Sequence, residues 1–435
     1  MSRISALPTD GLCYNPADPL FFQPEGLASE IERVFDVCHG CRLCFNLCPS
    51  FPALFSYVDG HDGDVKQLTQ KETDHVVDVC YQCRLCYGKC PYTQAENHPF
   101  NLDFPRLMLR HKAVKTKKKG EGWRNRLLTD PDLLGRMGGL SAGPANFFNR
   151  LAPVRWIVEK VLGVHRHKRL PLFYRQTFAA WFKKNRGRFQ VAAPQGKVVI
   201  FPTCFVNYNQ PGIGKAAVEV FTKNGYQVEV AYKHCCGMPA LDGGNIPRAR
   251  AMAQKNNRFL LPFVRRGYQV VALNPTCSLM MRREYPELLG EEGHELAAQV
   301  FDAAEFLNKA RKAGLLAGEV SQPPGEVVYH ASCHLRAQNV GLPGRDLIRA
   351  AGGSVTPVTE CSGHDGTWAM KREYFALSLT AGEKAFSGVK AAPRAVVVSD
   401  CPLAAIQIEQ ATGRRVVHTM EVLAQAYQKT SVQKP

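Results

Sequence analysis

Eight of the sixteen cysteines in this 435-residue chain fall into two copies of one run. Cys38, Cys41, Cys44 and Cys48 lead into Pro49, and Cys80, Cys83, Cys86 and Cys90 lead into Pro91. Both read C-x2-C-x2-C-x3-C-P, a spacing that holds cubane iron–sulfur clusters. Three thiolates at i, i+3 and i+6 wrap one corner of a small cage, each capping one iron. The fourth iron takes its ligand from the far side. The chemistry of such a cage is one-electron transfer. The flanks repeat too, since His39-Gly40-Cys41-Arg42-Leu43-Cys44 answers Tyr81-Gln82-Cys83-Arg84-Leu85-Cys86.

The runs resemble those of bacterial two-cluster ferredoxins, in which the last cysteine of each run ligates the other cluster. The resemblance implies one 4Fe-4S cluster on Cys38, Cys41, Cys44 and Cys90. It implies a second on Cys80, Cys83, Cys86 and Cys48. A pair of structural zinc sites is the competing assignment, but zinc ribbons favour separated C-x2-C pairs over a three-plus-one run. Disulfides fit less well. Met1 to Asp10 has no apolar stretch of the secretory kind, and crowded cysteines in a cytosolic chain read as metal ligands.

A second set comprises Cys204, Cys235, Cys236, Cys277, Cys333, Cys361 and Cys401, which leaves Cys13 as a bystander. Here short apolar runs alternate with helical stretches, the pattern of α/β units with parallel sheet. Strands are predicted at Val198–Phe201, Gln227–Ala231 and Val270–Leu273, each running into a cysteine. Helices are predicted at Gly214–Asn224 and Ile246–Phe263. After the breaker Gln322-Pro323-Pro324-Gly325 the order repeats, with strands at Val327–Tyr329, Val355–Val358 and Ala395–Val398. The cysteine gaps of 31 and 42 residues in the first half answer 28 and 40 in the second. Cysteines at the carboxyl ends of strands sit where open α/β sheets place their sites. Two halves facing each other across a pseudo-twofold axis, sharing a cleft, are expected.

The pattern Cys204, Cys235-Cys236-Gly237, Cys277 resembles the CCG cysteine-rich domain. That domain occurs in heterodisulfide reductase subunits and in iron–sulfur subunits of anaerobic glycerol-3-phosphate, glycolate and lactate dehydrogenases. The order of a two-cluster domain followed by two CCG units is most similar to the iron–sulfur subunits of anaerobic glycerol-3-phosphate dehydrogenase and their heterodisulfide-reductase-related relatives. A full CCG unit ends in C-x2-C, whereas this chain has Cys277-Ser278-Leu279-Met280 and Cys401-Pro402-Leu403-Ala404, and Cys361-Ser362 replaces the adjacent pair. The first half thus keeps thiolates alone, suited to an iron–sulfur centre or a redox disulfide. The second half adds His330, His334, His364 and Asp365, a mixed set suited to zinc or iron. His364, three residues past Cys361, is the expected fourth ligand. Cys235, Cys236, Cys361 and His364 are the expected catalytic groups. Gly-His-Asp-Gly occurs at residues 60–63 and 363–366; the second copy is expected to line the cleft.

The elements that position these residues divide the chain into four expected regions. Residues 1–110 form a mainly helical ferredoxin-type domain, with Pro52–Lys71 and Glu72–Val79 as helices or an extended loop between the runs. Residues 111–195 form a basic connector, and residues 196–320 and 321–435 form the two α/β units. The formal charge of +17 is concentrated: residues 101–195 carry 21 Lys and Arg against 5 Asp and Glu. That segment also holds Trp123, Trp156 and Trp181, and Leu151, Val154, Ile157 and Val161 recur at helical spacing. Basic amphipathic helices with aromatic anchors lie on anionic membrane surfaces. The other reading packs the stripe on the protein's own core. No nucleic-acid module accompanies the charge, and no apolar stretch is long enough to span a membrane.

No G-x-G-x-x-G stands in a strand–turn–helix setting, so hydride chemistry is assigned to another subunit. The expected function is an electron-transfer iron–sulfur subunit of an oxidoreductase. Its expected partners are a flavoprotein dehydrogenase subunit and a quinone or similar acceptor. The alternatives are a disulfide or thiol reductase subunit of the heterodisulfide type and a membrane-anchoring assembly subunit. The expected location is cytoplasmic, peripheral on the inner face of the inner membrane.

Overall fold

The structure is a computed structural model that describes residues 4–428. The chain divides into two compact units, residues 1–129 with 239–250 and residues 130–238 with 251–435.

The first unit is helical. Its elements are α1 (Pro24–Cys41), α2 (Ser50–Gly60), α3 (Gln70–Asp78), α4 (Phe104–Lys119) and α5 (Trp123–Leu128). The stretch between the two cysteine runs is therefore a helical pair, not an extended loop. A capping box between Thr69 and Glu72 starts α3, and the Asp103 carboxylate accepts from the Arg106 N–H to start α4. The core joins Val34, Phe35, Phe51, Leu54, Leu107 and Met108, with the Phe51 and Phe104 rings 4.6 Å apart. One ion pair ties irregular chain to this core. Arg33, fully buried, donates to Glu30 Oε2 at 2.6 Å and to the carbonyls of Ala6 (2.9 Å) and Phe100 (2.8 Å). Glu30 also accepts from the Thr9 N–H and hydroxyl, at 2.9 and 2.7 Å.

The second unit begins with α6 (Pro131–Leu140), α7 (Ala142–Phe148), α8 (Ala152–Leu162) and α9 (Phe178–Asn185). Two parallel sheets follow, each of four strands. The first has β1 (Gly196–Phe201), β2 (Tyr226–Val230), β3 (Gln269–Ala272) and β4 (Val300–Asp302), in the order β2-β1-β3-β4. The second has β5 (Glu326–His330), β6 (Ser354–Val358), β7 (Val396–Ser399) and β8 (Val416–Val417), in the order β6-β5-β7-β8. Six strands stand where the apolar runs predict them. The edge strands β4 and β8 are too short, at 3 and 2 residues, to give a period. Central strands covered on both faces are continuous apolar runs, as in Val198–Phe201.

The crossover and flanking helices are α10 (Thr203–Tyr208), α11 (Pro211–Lys223), α12 (Met238–Asp242), α13 (Ile246–Val264), α14 (Pro275–Leu279), α15 (Tyr285–Leu289), α16 (Glu291–Ala297) and α17 (Ala303–Lys312). The second half supplies α18 (Cys333–Arg336), α19 (Pro343–Ala350), α20 (Phe375–Lys390), α21 (Pro402–Thr412) and α22 (Thr419–Ala426). The halves dock by exchange: α11, near the start of the first, packs on α22, which closes the second. In return α17, which closes the first, packs on α19, near the start of the second. This reciprocal pairing is the packing of a pseudo-twofold duplicate, and one apolar core runs through both halves.

Truncating a fully buried ion-pair partner strands the other charge, at a cost of about 3–5 kcal/mol. Arg33→Ala should therefore lower the thermal midpoint of the first unit steeply. Calorimetry would show a transition shifted down by many degrees, with the melting of the second unit unchanged.

Candidate metal centres

The last turn of α1 carries Cys38 and Cys41, and the helix stops because Arg42 turns left-handed, at φ 52°. Arg84, at the same place in the second run, is also left-handed, at φ 61°. Non-glycine residues adopt this backbone rarely. Two arginines doing so after the second cysteine of each run mark one loop built twice. Cys44, Cys41 and Cys90 are the thiols that act electrostatically on Cys38. These four line one small cavity with Phe51, Phe55, Pro91 and Tyr92. Cys83, Cys48 and Cys80 act in turn on Cys86, and Cys44 reaches it from the neighbouring group. The fourth thiol of each group thus comes from the other run. Burial first, then the neighbouring thiols, push Cys44 up to about 11 and Cys38 and Cys86 well up. Among the described residues no three His, Cys, Asp or Glu side chains converge on one ion position. Thiolates are the donors that iron–sulfur clusters take, so the residues of the two runs fit iron–sulfur chemistry.

In the second unit each cysteine follows a strand. Cys204 follows β1 and Cys277 follows β3, flanking the point where the strand order reverses. Cys333 and Cys401 do the same after β5 and β7. Such reversal points open a crevice at the strand ends. Cys204 is held by Thr203, a buried β-branched residue at φ 72°, a strained backbone of the kind found at functional sites. The adjacent pair is turned by Gly237 at φ 100°. Its counterpart Gly363, at φ 68°, has no room for a Cβ against the Ser378 carbonyl.

The four thiols of the first half form a chain. Cys204 is hydrogen-bonded to Cys235, Cys235 to Cys236, and Cys236 to the thiol of Cys277 3.3 Å away. The bond with Cys235, then burial, push the Cys204 thiol well up. Cys401 of the second half acts electrostatically on Cys277, so the two sets lie near one another. The halves also meet at Thr276, whose hydroxyl lies 2.9 Å from His334 Nδ1, and at Gln338, whose amide donates to Ser278 Oγ at 3.0 Å.

In the second half Cys361, Cys401 and Asp365 all act on Cys333. Burial pushes Cys401 up to about 11, against the opposing N–H groups of Ala404 and Leu403 at the start of α21. The expected imidazoles are placed differently from one another. His334 meets Thr276. His330 Nδ1 lies 3.1 Å from Ser399 Oγ, and burial brings the ring down to about 4. His364 is buried with neither ring nitrogen hydrogen-bonded, and its charged neighbour is Lys168. The carboxylates that act on these thiols are Asp365, on Cys333 and Cys401, and Asp400, on Cys401. Buried Lys168, brought down to about 7 by desolvation, meets Gln407 Oε1.

Sequence reasoning gives no signal for the side chains that clamp the first set. Tyr285 donates to the Cys236 carbonyl at 2.9 Å, and Asn256 donates to the Cys235 carbonyl at 2.8 Å. Asp132, one of the few acids in the basic connector, accepts the Cys235 N–H at 2.7 Å. No periodicity or motif marks them. The first Gly-His-Asp-Gly copy ends α2, where His61 meets Glu72 at 3.1 Å. The second lies in the loop that carries His364 and Asp365.

Residues 30–91 match the 4Fe-4S dicluster domain family, and residues 198–282 match the family described as cysteine-rich domain. The anaerobic glycerol-3-phosphate dehydrogenase C subunit of Escherichia coli (strain K12) is 31% identical over 307 residues, covering 70% of this chain and 77% of the relative. The chain belongs to that family. The B subunit of a fumarate reductase (CoM/CoB) from Methanothermobacter marburgensis is 25% identical, covering 54% of this chain and 47% of that one. Lactate utilization protein A of Geobacillus thermodenitrificans is 29% identical, covering 40% and 75% respectively. The family resemblance expected from the two cysteine patterns is borne out, as is the α and α/β architecture. Membership makes the chain an iron–sulfur electron-transfer subunit of an oxidoreductase.

Thiolates alkylate and thiols do not. A raised thiol stays protonated at neutral pH, so its reactivity keeps climbing as pH rises towards the raised value. In metal-free protein the iodoacetamide rate at Cys401 should still be increasing above about pH 10. A mass-spectrometric rate profile that levels off by about pH 9 would contradict its burial.

Proposed function

We propose that this chain relays electrons between a partner flavoprotein dehydrogenase subunit and a quinone-type acceptor while resting on an anionic membrane surface. One observation carries the electron-transfer reading. The eight thiols of the two runs group four and four, each group completed by the last cysteine of the other run. In this reading Cys38, Cys41, Cys44 and Cys90 hold one 4Fe-4S cluster, and Cys80, Cys83, Cys86 and Cys48 hold another. When bound, the clusters supply one-electron steps. The chain's part is to exclude water with Phe51 and Phe55 and to hold the thiols at the spacing a cage needs.

Cys204, Cys235, Cys236 and Cys277 are the donors of a further iron–sulfur centre. Cys333, Cys361 and Cys401, with Asp365, offer a second, more exposed donor set beside it, and the same loop carries His364, whose charged neighbour is Lys168. A site with a free position can act on a ligand as well as hold a fold. The final cysteine of a complete CCG unit is absent in both halves, which weighs against the heterodisulfide reaction.

The surface reading rests on α8. Its charged residues Arg155 and Glu159 face inward while Trp156 (49% exposed), Ile157 and Val161 face outward. Arg155 turns inward to cap the carbonyls of His165, Arg166 and Lys168 at 2.8–3.0 Å. Leu140 (89% exposed), Phe147 and Phe148 are further exposed apolar side chains of the same segment, which also exposes Arg150, Lys160 and Arg166. No helix among the described residues is long and apolar enough to cross a membrane. An outward apolar face in a segment with exposed basic residues suits the interface of an anionic bilayer.

Two outcomes test these readings. Cys48→Ser should alter the EPR signal of the cluster held by Cys80, Cys83 and Cys86 and spare its neighbour. Loss of the other signal alone would refute the crossed assignment. Binding to vesicles should require anionic lipid, fall in high salt as the Debye length drops below about 8 Å, and weaken at least roughly tenfold in Trp156→Glu/Ile157→Glu, since about 1 kcal/mol per basic residue does not replace the apolar contact. Equal binding to neutral vesicles, or none to anionic ones, would remove the membrane reading.

A further inference from the structure

Asp132 lies in the second position of α6, in the basic connector and 103 residues from Cys235 in sequence. It is only 7% exposed. One carboxylate oxygen accepts the Cys235 N–H at 2.7 Å, and the other accepts the hydroxyl of half-buried Tyr232. The contact is built into the helix. The Asp130 side chain caps α6 by accepting from the Leu133 N–H at 3.0 Å, and Pro131 occupies the first turn. A helix N-terminus stabilises an anion. One turn on, Gly135 lets the helix lie against Tyr208, whose ring a Cβ there would overlap. Arg136 bonds to the same Tyr208. The negative charge acts on two thiols of the first set, Cys204 and Cys235.

We propose that Asp132 is the residue that positions the Cys235-Cys236 loop and lowers the reduction potential of the centre held by the first thiol set. The proposal rests on the reading of Cys204, Cys235, Cys236 and Cys277 as ligands of an iron–sulfur centre. Two effects act in the same direction. A centre that accepts one electron becomes more negative by one charge, with no bond made or broken, and a fixed carboxylate beside it opposes that gain. Hydrogen bonds to cluster sulfurs raise the potential, and net charge and solvent exposure are the other levers. By taking the Cys235 N–H for itself, Asp132 withholds one donor from the sulfurs. Asp132 touches the ligand's backbone, so its role is positioning and tuning, exercised through Cys235.

The test uses the full chain and two variants. Asp132→Asn keeps an acceptor for the Cys235 N–H and removes the charge. Asp132→Ala removes both. EPR-monitored redox titration of anaerobically prepared protein should show the non-cubane signal of Asp132→Asn shifted upward. The expected shift is at least tenfold in the reduction equilibrium, about 59 mV for one electron, with both cubane potentials unmoved. Hydrogen exchange of metal-free protein should show the peptide carrying the Cys235 amide exchanging at least tenfold faster in Asp132→Ala and near the wild-type rate in Asp132→Asn. An unmoved potential with the signal present overturns the tuning role. Unchanged exchange in Asp132→Ala overturns the positioning role. Wild-type protein without any signal beyond the cubanes overturns the metal-centre reading and the tuning role together, and the exchange data then show separately whether the clamp exists.

Discussion

One constraint shapes this molecule: soft donors must be gathered from distant points of the chain and held together. A thiol is a weak hydrogen-bonding group, so its position has to be held by the backbone around it. The backbone is accordingly clamped. Arg42 and Arg84 take left-handed conformations in the two runs, Thr203 does so before Cys204, and Gly237 and Gly363 turn the paired-cysteine loops. Tyr285, Asn256 and Asp132 grip peptide groups of the Cys235-Cys236 loop and leave its thiols to the other cysteines of the set. Burial raises the thiols, so the sites hold protons until a metal displaces them, and metal binding releases those protons.

The α/β half meets the constraint by symmetry. A parallel sheet that reverses its strand order delivers two loop ends to one crevice, and doing so twice delivers cysteines from β1, β3, β5 and β7. Exchange of α11 for α22 and of α17 for α19 turns the two crevices towards each other, so that Cys401 acts on Cys277. The duplication is exact in topology and unequal in chemistry. The first set is a chain of four thiols, whereas the second mixes three thiols with Asp365.

The connector shows how far composition can carry an argument. Its excess of Lys and Arg and its apolar stripe are plain in the chain, and both a core-facing and a surface-facing reading were open. Burial separates them: α8 turns Arg155 and Glu159 inward and Trp156, Ile157 and Val161 outward. The inversion follows the loop after the helix, whose carbonyls of His165, Arg166 and Lys168 the Arg155 guanidinium reaches inward to cap. The same connector sends Asp132 into the cysteine site, a role that one acid among many bases does not advertise.

By itself the amino-acid sequence determined the metal chemistry, the family and the order of elements, because ligand spacing and hydrophobic period are local properties of a chain. The eight cysteines of the two runs, six of the eight strands among the described residues, and the helices α11 and α13 were legible for that reason. The edge strands β4 and β8 were not, being shorter than any period. Tertiary structure alone decided which donors share a site. It set Asp365 against Cys333 and Cys401, placed His364 beside Lys168 and His334 on Thr276, and brought Asp132 to Cys235. Those choices depend on the direction in which each loop leaves its strand and on how two sheets dock, and neither is written in the spacing of residues along the chain.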